Sequence, residues 1–439
     1  MNPDLLWGRV LMGDTLGFHI LFALLGVGIP LLVSLAELIG IVRRDGDFLQ
    51  FARRWSFAMG VLFVVGAISG TVVAVEFFML WPGFVAFAGP AIGLPMFLEV
   101  FAFFIEAIFL GVYVFTWDRW GNSSWRHWLA SLPIILGSVA SAFLITTVNA
   151  FMNEPSGIVT RIVGGVQKIV SVNPWQAMFG PAVLPETSHS IVAYYATTFF
   201  VAAAICALAL WRRRGAAVAA RVSVSSGADP VTMRYFSKGL LFCLIGAFVF
   251  ALAVGFTGDN SARFLASHEP LKLATIEQLP ATESYAPLRF FGVRIPDGLS
   301  ELVGGTPRTV VKGLAAFDPS LWPPSFIHWL FDAMATSGFF LVVVPVLYFL
   351  GRRWRRSRVM FLLIIAAALA AIFSVEAGWI ITEVGRQPFV VAGLLKTAAA
   401  FTPSAGVVVI ALVFPVLYII LAVVALWILI RHYTRHAPL

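Results

Sequence analysis

The chain has 439 residues, of which 60% are hydrophobic and only 12% charged, with a mean hydropathy of +0.91. Soluble domains carry about a quarter charged residues, so this balance excludes an ordinary soluble fold. The formal net charge of +8 resides in turns between apolar runs, which excludes nucleic acid as its explanation.

About 20 apolar residues are needed to cross a bilayer. Nine runs qualify: 15–42, 55–80, 94–117, 128–151, 188–211, 236–256, 325–350, 359–383 and 407–430. The expectation is an all-α integral membrane protein with nine transmembrane helices. The first run is too long for a signal-peptide core and lacks a cleavage-like site, so it reads as a helix. Cys206 and Cys243 fall inside runs, and no CxxC or CxxCH occurs, so neither disulfides nor covalent haem attachment is expected. One side of the runs collects Arg43, Arg44, Arg53, Arg54, Arg119, Arg126, Arg212, Arg213, Arg214, Arg221, Arg234 and Lys238. The arginines at 352, 353, 355, 356 and 358, with Arg431 and Arg435, join them there. The other side has Arg9, Arg161, Lys168, Arg386 and Lys396 outside its long loop. By the positive-inside rule the N-terminus lies outside and the C-terminus in the cytoplasm. The chain divides into 1–256, an extramembrane segment 257–323, and 324–439.

In chain order, His19 comes first, near the outer surface. A lone membrane histidine commonly bonds a neighbouring helix, and its position alone assigns no ligand role. The third run reads GLPMFLEVFAFFIEAIF and places Glu99 and Glu106 seven residues apart. They share one helix face about 10 Å apart along the axis. Two aligned acids at different depths are what a proton relay needs. The fourth run holds Ser141, Thr146, Thr147 and Asn149, with hydroxyl-mediated helix packing as the plain account of the threonines. It breaks at Met152-Asn153-Glu154-Pro155, and a Gly/Pro-punctuated outer loop leads to Ser188-His189. In the long segment, Ala266–Leu279 is expected as one amphipathic helix with Leu271, Leu273 and Ile276 inward. Lys272, Glu277 and His268 would then be solvated, the usual outcome for such residues. The seventh run contains FIHWLFDAMATSG, with His328, Asp332 and Met334. The eighth closes in EAGWIITEVGRQPF. There Glu376, Trp379 and Glu383 share a face at steps of three and four, just before Gly385-Arg386-Gln387-Pro388. The ninth has no charge between Lys396 and Arg431 and reads as scaffold.

Under this topology His19, Glu99, His189 and Glu383 come to the outer half of the membrane, with Met334 somewhat deeper. Imidazole and thioether are haem-iron ligands, and a His/Met pair makes a six-coordinate electron carrier. Arg386 suits a propionate, since guanidinium grips carboxylate in two places. Residues alone therefore indicate a multi-haem membrane protein.

GRQP at 385–388, GWIITE before it, GLPMFLE and FFIEA in the third run, and KLATIE in the loop together resemble subunit I of the cytochrome bd quinol:oxygen oxidases. The resemblance covers essentially the whole chain, and the loop is of the short type. It implies a bacterial cytoplasmic-membrane, multi-pass terminal oxidase that oxidises quinol at the outer face and reduces O2 to water. It also implies a proton motive force without pumping and three haems: a low-spin haem b, a high-spin haem b, and haem d or a third haem b. His189 and Met334 look like the axial pair of the low-spin haem. His19 looks like a ligand of one high-spin haem and Glu383 of the other. Glu99 matches the acid beside the oxygen-reducing site, and Glu106 the acid feeding it protons, with Ser141 and Asn149 along the adjoining helix. Trp379 matches a tryptophan between haems, Arg386 an arginine at propionates, and Lys272 and Glu277 the quinol-oxidising loop. Subunit II, with room for a small single-helix subunit, quinol, O2 and the lipid bilayer are the implied partners, and no nucleic acid. On this resemblance 1–256 holds the high-spin haem and proton-relay residues, 257–323 oxidises quinol, and 324–439 carries further haem ligands.

The chain departs from the family at several places. GRQPW is here GRQPF, with Phe389. The arginine usual two residues before the haem methionine is Asp332, so a propionate partner is missing. MQNP is here MNEP. The seven-residue Glu99–Glu106 spacing resembles the cyanide-insensitive branch. Two other classes fit part of the pattern. A di-haem quinone-linked cytochrome passing electrons to another protein would use His189 and Met334 but not Glu99, Glu106, His19 or Glu383. A proton-coupled transporter would use the acids but not the His/Met pair.

Overall fold

The computed structural model describes residues 3–120, 124–219, 230–403 and 406–435. Arg221 lies outside the described residues, as do the side chains of Arg214 and Arg435. Among the described residues nine helices are long and apolar enough to cross a membrane. They are α1 (Pro3–Arg43), α2 (Gly46–Leu80), α3 (Pro82–Trp120), α4 (Trp125–Asn153), α6 (Val183–Ala219), α7 (Pro230–His268), α10 (Phe326–Leu350), α11 (Arg358–Val384) and α13 (Val407–Arg435). Most run beyond the apolar stretches, as backbone hydrogen bonding continues past the hydrocarbon, in α3 even through Pro90 and Pro95. The chain is a multi-pass, mostly helical membrane protein.

Short connections make successive helices antiparallel, so the bundle has two unlike ends. One end gathers the turn 44–45, the start of α7, the turn 351–357 and the end of α13, and is rich in arginine. It is tied together by ion pairs: Lys238 reaches Asp45 at 2.5 Å and Asp47 at 2.7 Å, and Arg234 reaches Asp47 at 2.9 Å. Asp45 also caps α2 by accepting from the Asp47 N–H. A large apolar cluster including Leu32, Phe51, Phe199, Leu244, Val344 and Phe361 fills this half.

The opposite end carries the irregular segments. Residues 155–182 form a hairpin, β1 (Ile158–Val163) on β2 (Val166–Val172), then a short helix α5 (Pro174–Met178). A second cluster with Leu11, Trp81, Phe84, Val391 and Phe401 lies beneath. After α11 the chain forms β5 (Phe389–Val391), β6 (Leu395–Lys396) and α12 (Thr397–Ala400).

The long segment differs from expectation. α7 continues through 257 to His268, and no single helix covers 266–279. Glu269 interrupts it, and α8 (Pro270–Ile276) restarts with proline at its first position, where the missing N–H costs nothing. Leu273 and Ile276 are buried as expected, but so are Lys272 and Glu277, which corrects the solvated reading. The hairpin β3 (Leu288–Phe290) and β4 (Val293–Ile295) and the helix α9 (Gly298–Gly304) complete the segment.

Candidate functional site

The end of α11 sits at the centre of a buried polar network. Arg386 pairs with Glu383 one turn earlier, and its guanidinium also donates to Asn149 Oδ1 at 2.7 Å and Asn153 Oδ1 at 3.3 Å. Lys272 Nζ, which also pairs with Glu269, reaches the same Asn153 oxygen at 3.1 Å. The Nδ2 groups of both asparagines turn the other way. Asn149 donates to Glu186 Oε2 at 2.8 Å and Asn153 to Glu186 Oε1 at 2.7 Å. Glu186 thus balances Arg386 and Lys272 through two oriented carboxamides. The glycine of GRQP has a steric reason. A Cβ at Gly385 would lie 2.5 Å from the Ile381 carbonyl and 3.1 Å from the Lys272 side chain, so any other residue must shift that carbonyl and press on the lysine stem.

The two histidines are prepared in the same way. His19 Nδ1 lies 3.0 Å from Ser69 Oγ, and that hydroxyl gives its proton to the Val65 carbonyl at 2.9 Å. His189 Nδ1 lies 3.0 Å from Thr257 Oγ1, whose proton goes to the Ala253 carbonyl at 3.0 Å. Where each hydroxyl gives its proton to that carbonyl it accepts from Nδ1, the arrangement in which an imidazole presents its Nε2 lone pair. That arrangement is what a metal-binding histidine requires. Glycines lie alongside: a Cβ at Gly70 would be 3.0 Å from His19 Cε1, and one at Gly258 would be 3.5 Å from His189 Cε1. A Cβ at Gly378 would be 3.5 Å from Met334 Sδ. Trp379 Nε1 donates to Tyr194 OH at 3.0 Å.

On α3, Glu106 is 8% exposed, and Glu99 accepts from Ser141 at 2.8 Å. α4 approaches closely because residue 137 is glycine, where a Cβ would be 2.9 Å from the Glu106 nitrogen. One heptad further along α3, Tyr113 donates to Glu37 at 2.7 Å, and His127 Nδ1 meets the other Glu37 oxygen at 2.6 Å.

The loop residues split. Five positions turn a helix by about 500°, so Lys272 and Glu277 point to different sides. Lys272 faces the Arg386 network, whereas Glu277 accepts from the Arg289 N–H at 3.2 Å. Burial pushes the Glu277 carboxyl up to about 7. Asp332 accepts from the Phe291 N–H at 2.6 Å and lies 3.6 Å from His328 Nε2, so it docks the β3–β4 hairpin on α10.

Sequence reasoning missed Glu186 and Glu76. Glu76 accepts from Thr15 at 2.8 Å, and Tyr418 donates to Thr15 at 2.9 Å. Its place in an apolar run was a usable signal; Glu186 left none, because its partners lie on α4. Among the described residues Glu76 Oε2, Glu376 Oε1 and Arg386 Nε are buried without a partner. Two imidazoles with directed Nε2 lone pairs, a thioether beside a glycine, and an arginine with an unspent donor fit haem groups with propionates.

These features define a multi-pass membrane protein with side chains suited to haem. Residues 7–438 match the family described as cytochrome bd terminal oxidase subunit I, and the chain belongs to that family. It is similar to the putative cytochrome bd menaquinol oxidase subunit I of Bacillus subtilis (strain 168), at 36% identity over 99% of this chain and 97% of the relative. The cytochrome bd ubiquinol oxidase subunit 1 of the same organism is 27% identical over 99% of this chain and 94% of its own length. The solved structure of bd oxidase from Geobacillus thermodenitrificans superimposes with a TM-score of 0.90 at 38% identity, covering 100% of both chains.

Proposed function

We propose that the chain is the quinol-oxidising, oxygen-reducing subunit of a respiratory terminal oxidase in a bacterial cytoplasmic membrane, with its N-terminus outside and a subunit II as partner. Three haems, when bound, would carry electrons from quinol to oxygen and supply the iron at which oxygen is reduced. His189 and Met334 would hold the low-spin haem b. His19 and Glu383 would each serve one of the two high-spin haems, and Arg386 would take a propionate. Trp379 would stand between haems, fixed by Tyr194. The observation that carries this reading is the matched hydroxyl contact of His19 and His189 at Nδ1, joined by the Arg386–Asn153–Lys272 link from α11 to the loop.

Lys272 and Glu277 would serve quinol on different sides of α8, Lys272 as a cation for a quinol oxygen and Glu277 as a proton acceptor. Glu106 would receive protons from the arginine-rich, cytoplasmic end and pass them towards Glu99, whose carboxylate Ser141 orients. Asn149 would align Arg386. Protons taken up inside and released outside move charge across the membrane without a pump. The test is a reduced-minus-oxidised spectrum with quinol-driven oxygen uptake. His189→Ala is expected to abolish the low-spin signal while sparing part of the high-spin signal. An unchanged low-spin spectrum would remove His189 from the role.

A further inference from the structure

Near the arginine-rich end three helices meet around a buried acid. Glu37 on α1, Tyr113 on α3 and His127 in the first turn of α4 are each at most 2% exposed. Tyr113 OH donates to Glu37 Oε2 at 2.7 Å, and His127 Nδ1 lies 2.6 Å from Glu37 Oε1. On its other side, His127 Nε2 lies 2.9 Å from the Tyr113 carbonyl. The rings of Trp117 and Trp120 stand edge-on to the imidazole, with centroids 4.4 and 6.4 Å away.

These contacts set a proton count. A carbonyl only accepts, so the Nε2 contact requires a proton on that nitrogen, and the phenol proton goes to Oε2. One further proton belongs to the 2.6 Å contact. It sits on Nδ1, giving imidazolium and carboxylate, or on Oε1, giving imidazole and carboxylic acid, and both forms keep the same hydrogen bonds. When that proton leaves, an imidazole lone pair faces a carboxylate oxygen and the contact is no longer a hydrogen bond, so the pair draws in a replacement. A plain clamp between three helices needs the bonds but not the proton. Burying a carboxylate and an imidazole for packing alone also costs more than burying apolar side chains of similar volume.

Hydroxyls lead from this pair towards Glu106. Ser34, three residues before Glu37, and Ser131, one turn on from His127, are buried and meet at 2.8 Å. Ser138, also buried, lies two turns further along the same face of α4. It adjoins Gly137, where a Cβ would be 3.0 Å from Glu106 Cβ. Along α3, the seven residues from Tyr113 to Glu106 span about 10 Å. We infer that Glu37 and His127 are the proton-loading pair for Glu106. The shared proton passes from Glu37 to Ser34 and Ser131, then past Ser138 to the Glu106 carboxylate, with water bridging the longer steps. A proton from the arginine-rich side replaces it. No bond between heavy atoms forms or breaks, and no electron moves. The inference rests on the proposed delivery of protons through Glu106 towards Glu99.

The test uses the intact oxidase complex carrying Glu37→Gln. The amide oxygen still accepts from Tyr113 and the amide N–H still donates to Nδ1, so the clamp survives while the transferable proton is lost. Haem content, melting temperature and KM for quinol are expected to stay as in the wild type. Maximal oxygen reduction should fall at least tenfold, and the ratio of rates in H2O and D2O should rise, because proton loading then limits turnover. Ser131→Ala leaves the pair intact and interrupts the inward step, so it should lower the rate at least threefold with the same rise in isotope ratio. A normal rate and isotope ratio in Glu37→Gln would overturn the proposal. So would a slow variant with lowered melting temperature and an unchanged isotope ratio, the mark of a clamp. Should Glu37→Gln fail to assemble, normal values in Ser131→Ala would overturn it equally. Glu106→Gln run in parallel separates the two levels. If it is slow while Glu37→Gln is normal, only the loading pair fails; if both are normal, the Glu106 route fails with it.

Discussion

Single side chains carry two predictions. Thr257 Oγ1 lies 3.0 Å from His189 Nδ1 and is placed to accept from it while giving its own proton to the Ala253 carbonyl. Thr257→Val keeps the shape and removes the acceptor, and is expected to lower affinity for the low-spin haem by roughly 10–100-fold. Haem titration of the stripped protein measures this, and wild-type affinity in the variant would dismiss the second-layer role. Glu277 is held up at about 7 by burial first, with the Arg289 N–H lowering it, the charge of Asp332 raising it, and that of Arg289 lowering it. A carboxyl raised above its ordinary value favours folding when protonated. The penalty is therefore absent below about 4.5, grows as pH rises through 7, and reaches about 3 kcal/mol. Glu277→Gln should raise the loop's resistance to heat or protease above pH 7 and leave it unchanged below pH 4.5. The same substitution should lower quinol turnover and flatten its rise through pH 7, because an amide accepts no proton. A pH profile that retains its inflection would exclude Glu277 as the acceptor.

At the scale of elements, the close passage of α8 by the end of α11 makes Gly385 the sensitive position. Gly385→Ala would press a methyl group on the Ile381 carbonyl and the Lys272 stem. The expected outcome is a several-fold rise in KM for quinol with haem content retained; loss of haem together with unchanged KM would contradict it. The elements also show what was legible in the chain. The apolar runs announce the nine spans, and GRQP announces the polar end of α11, since both signals lie within one continuous stretch. The Glu186 hub did not announce itself, because its bonds join residues 33 to 37 apart and reach Arg386 across 233 to 237 residues. No periodicity records such pairings. Lys272 and Glu277 look like surface charges by composition, and only the folding of the loop onto α4 and α10 buries them. Asp332 stands where the family resemblance implies a cation, and its visible work is to hold Phe291, whose φ of 45° turns the hairpin.

For the whole molecule, the proposed oxygen reduction requires protons to travel from the arginine-rich end towards Glu99. Glu106 is buried on α3 between the arginine-rich end and Glu99, and burying an acid costs several kcal/mol unless it is neutral, paired or wetted. Glu106→Gln keeps shape and hydrogen bonds without a releasable proton. It should leave the haems bound and reducible by quinol while slowing steady oxygen reduction at least tenfold. Normal oxygen reduction in that variant would remove Glu106 from the proton route. The oxygen of Asn153 has a wider consequence, because it accepts from Lys272 and Arg386 together. On the roles proposed for Lys272 and Arg386, a quinol drawing on Lys272 would alter what this shared oxygen receives from Arg386, and so what Arg386 has left for its own ligand. Thermodynamic reciprocity then applies: the factor by which an occupied quinol site alters affinity at Arg386 equals the factor by which that partner alters quinol binding. A single asparagine carbonyl would thereby act as an allosteric coupler between substrate and cofactor.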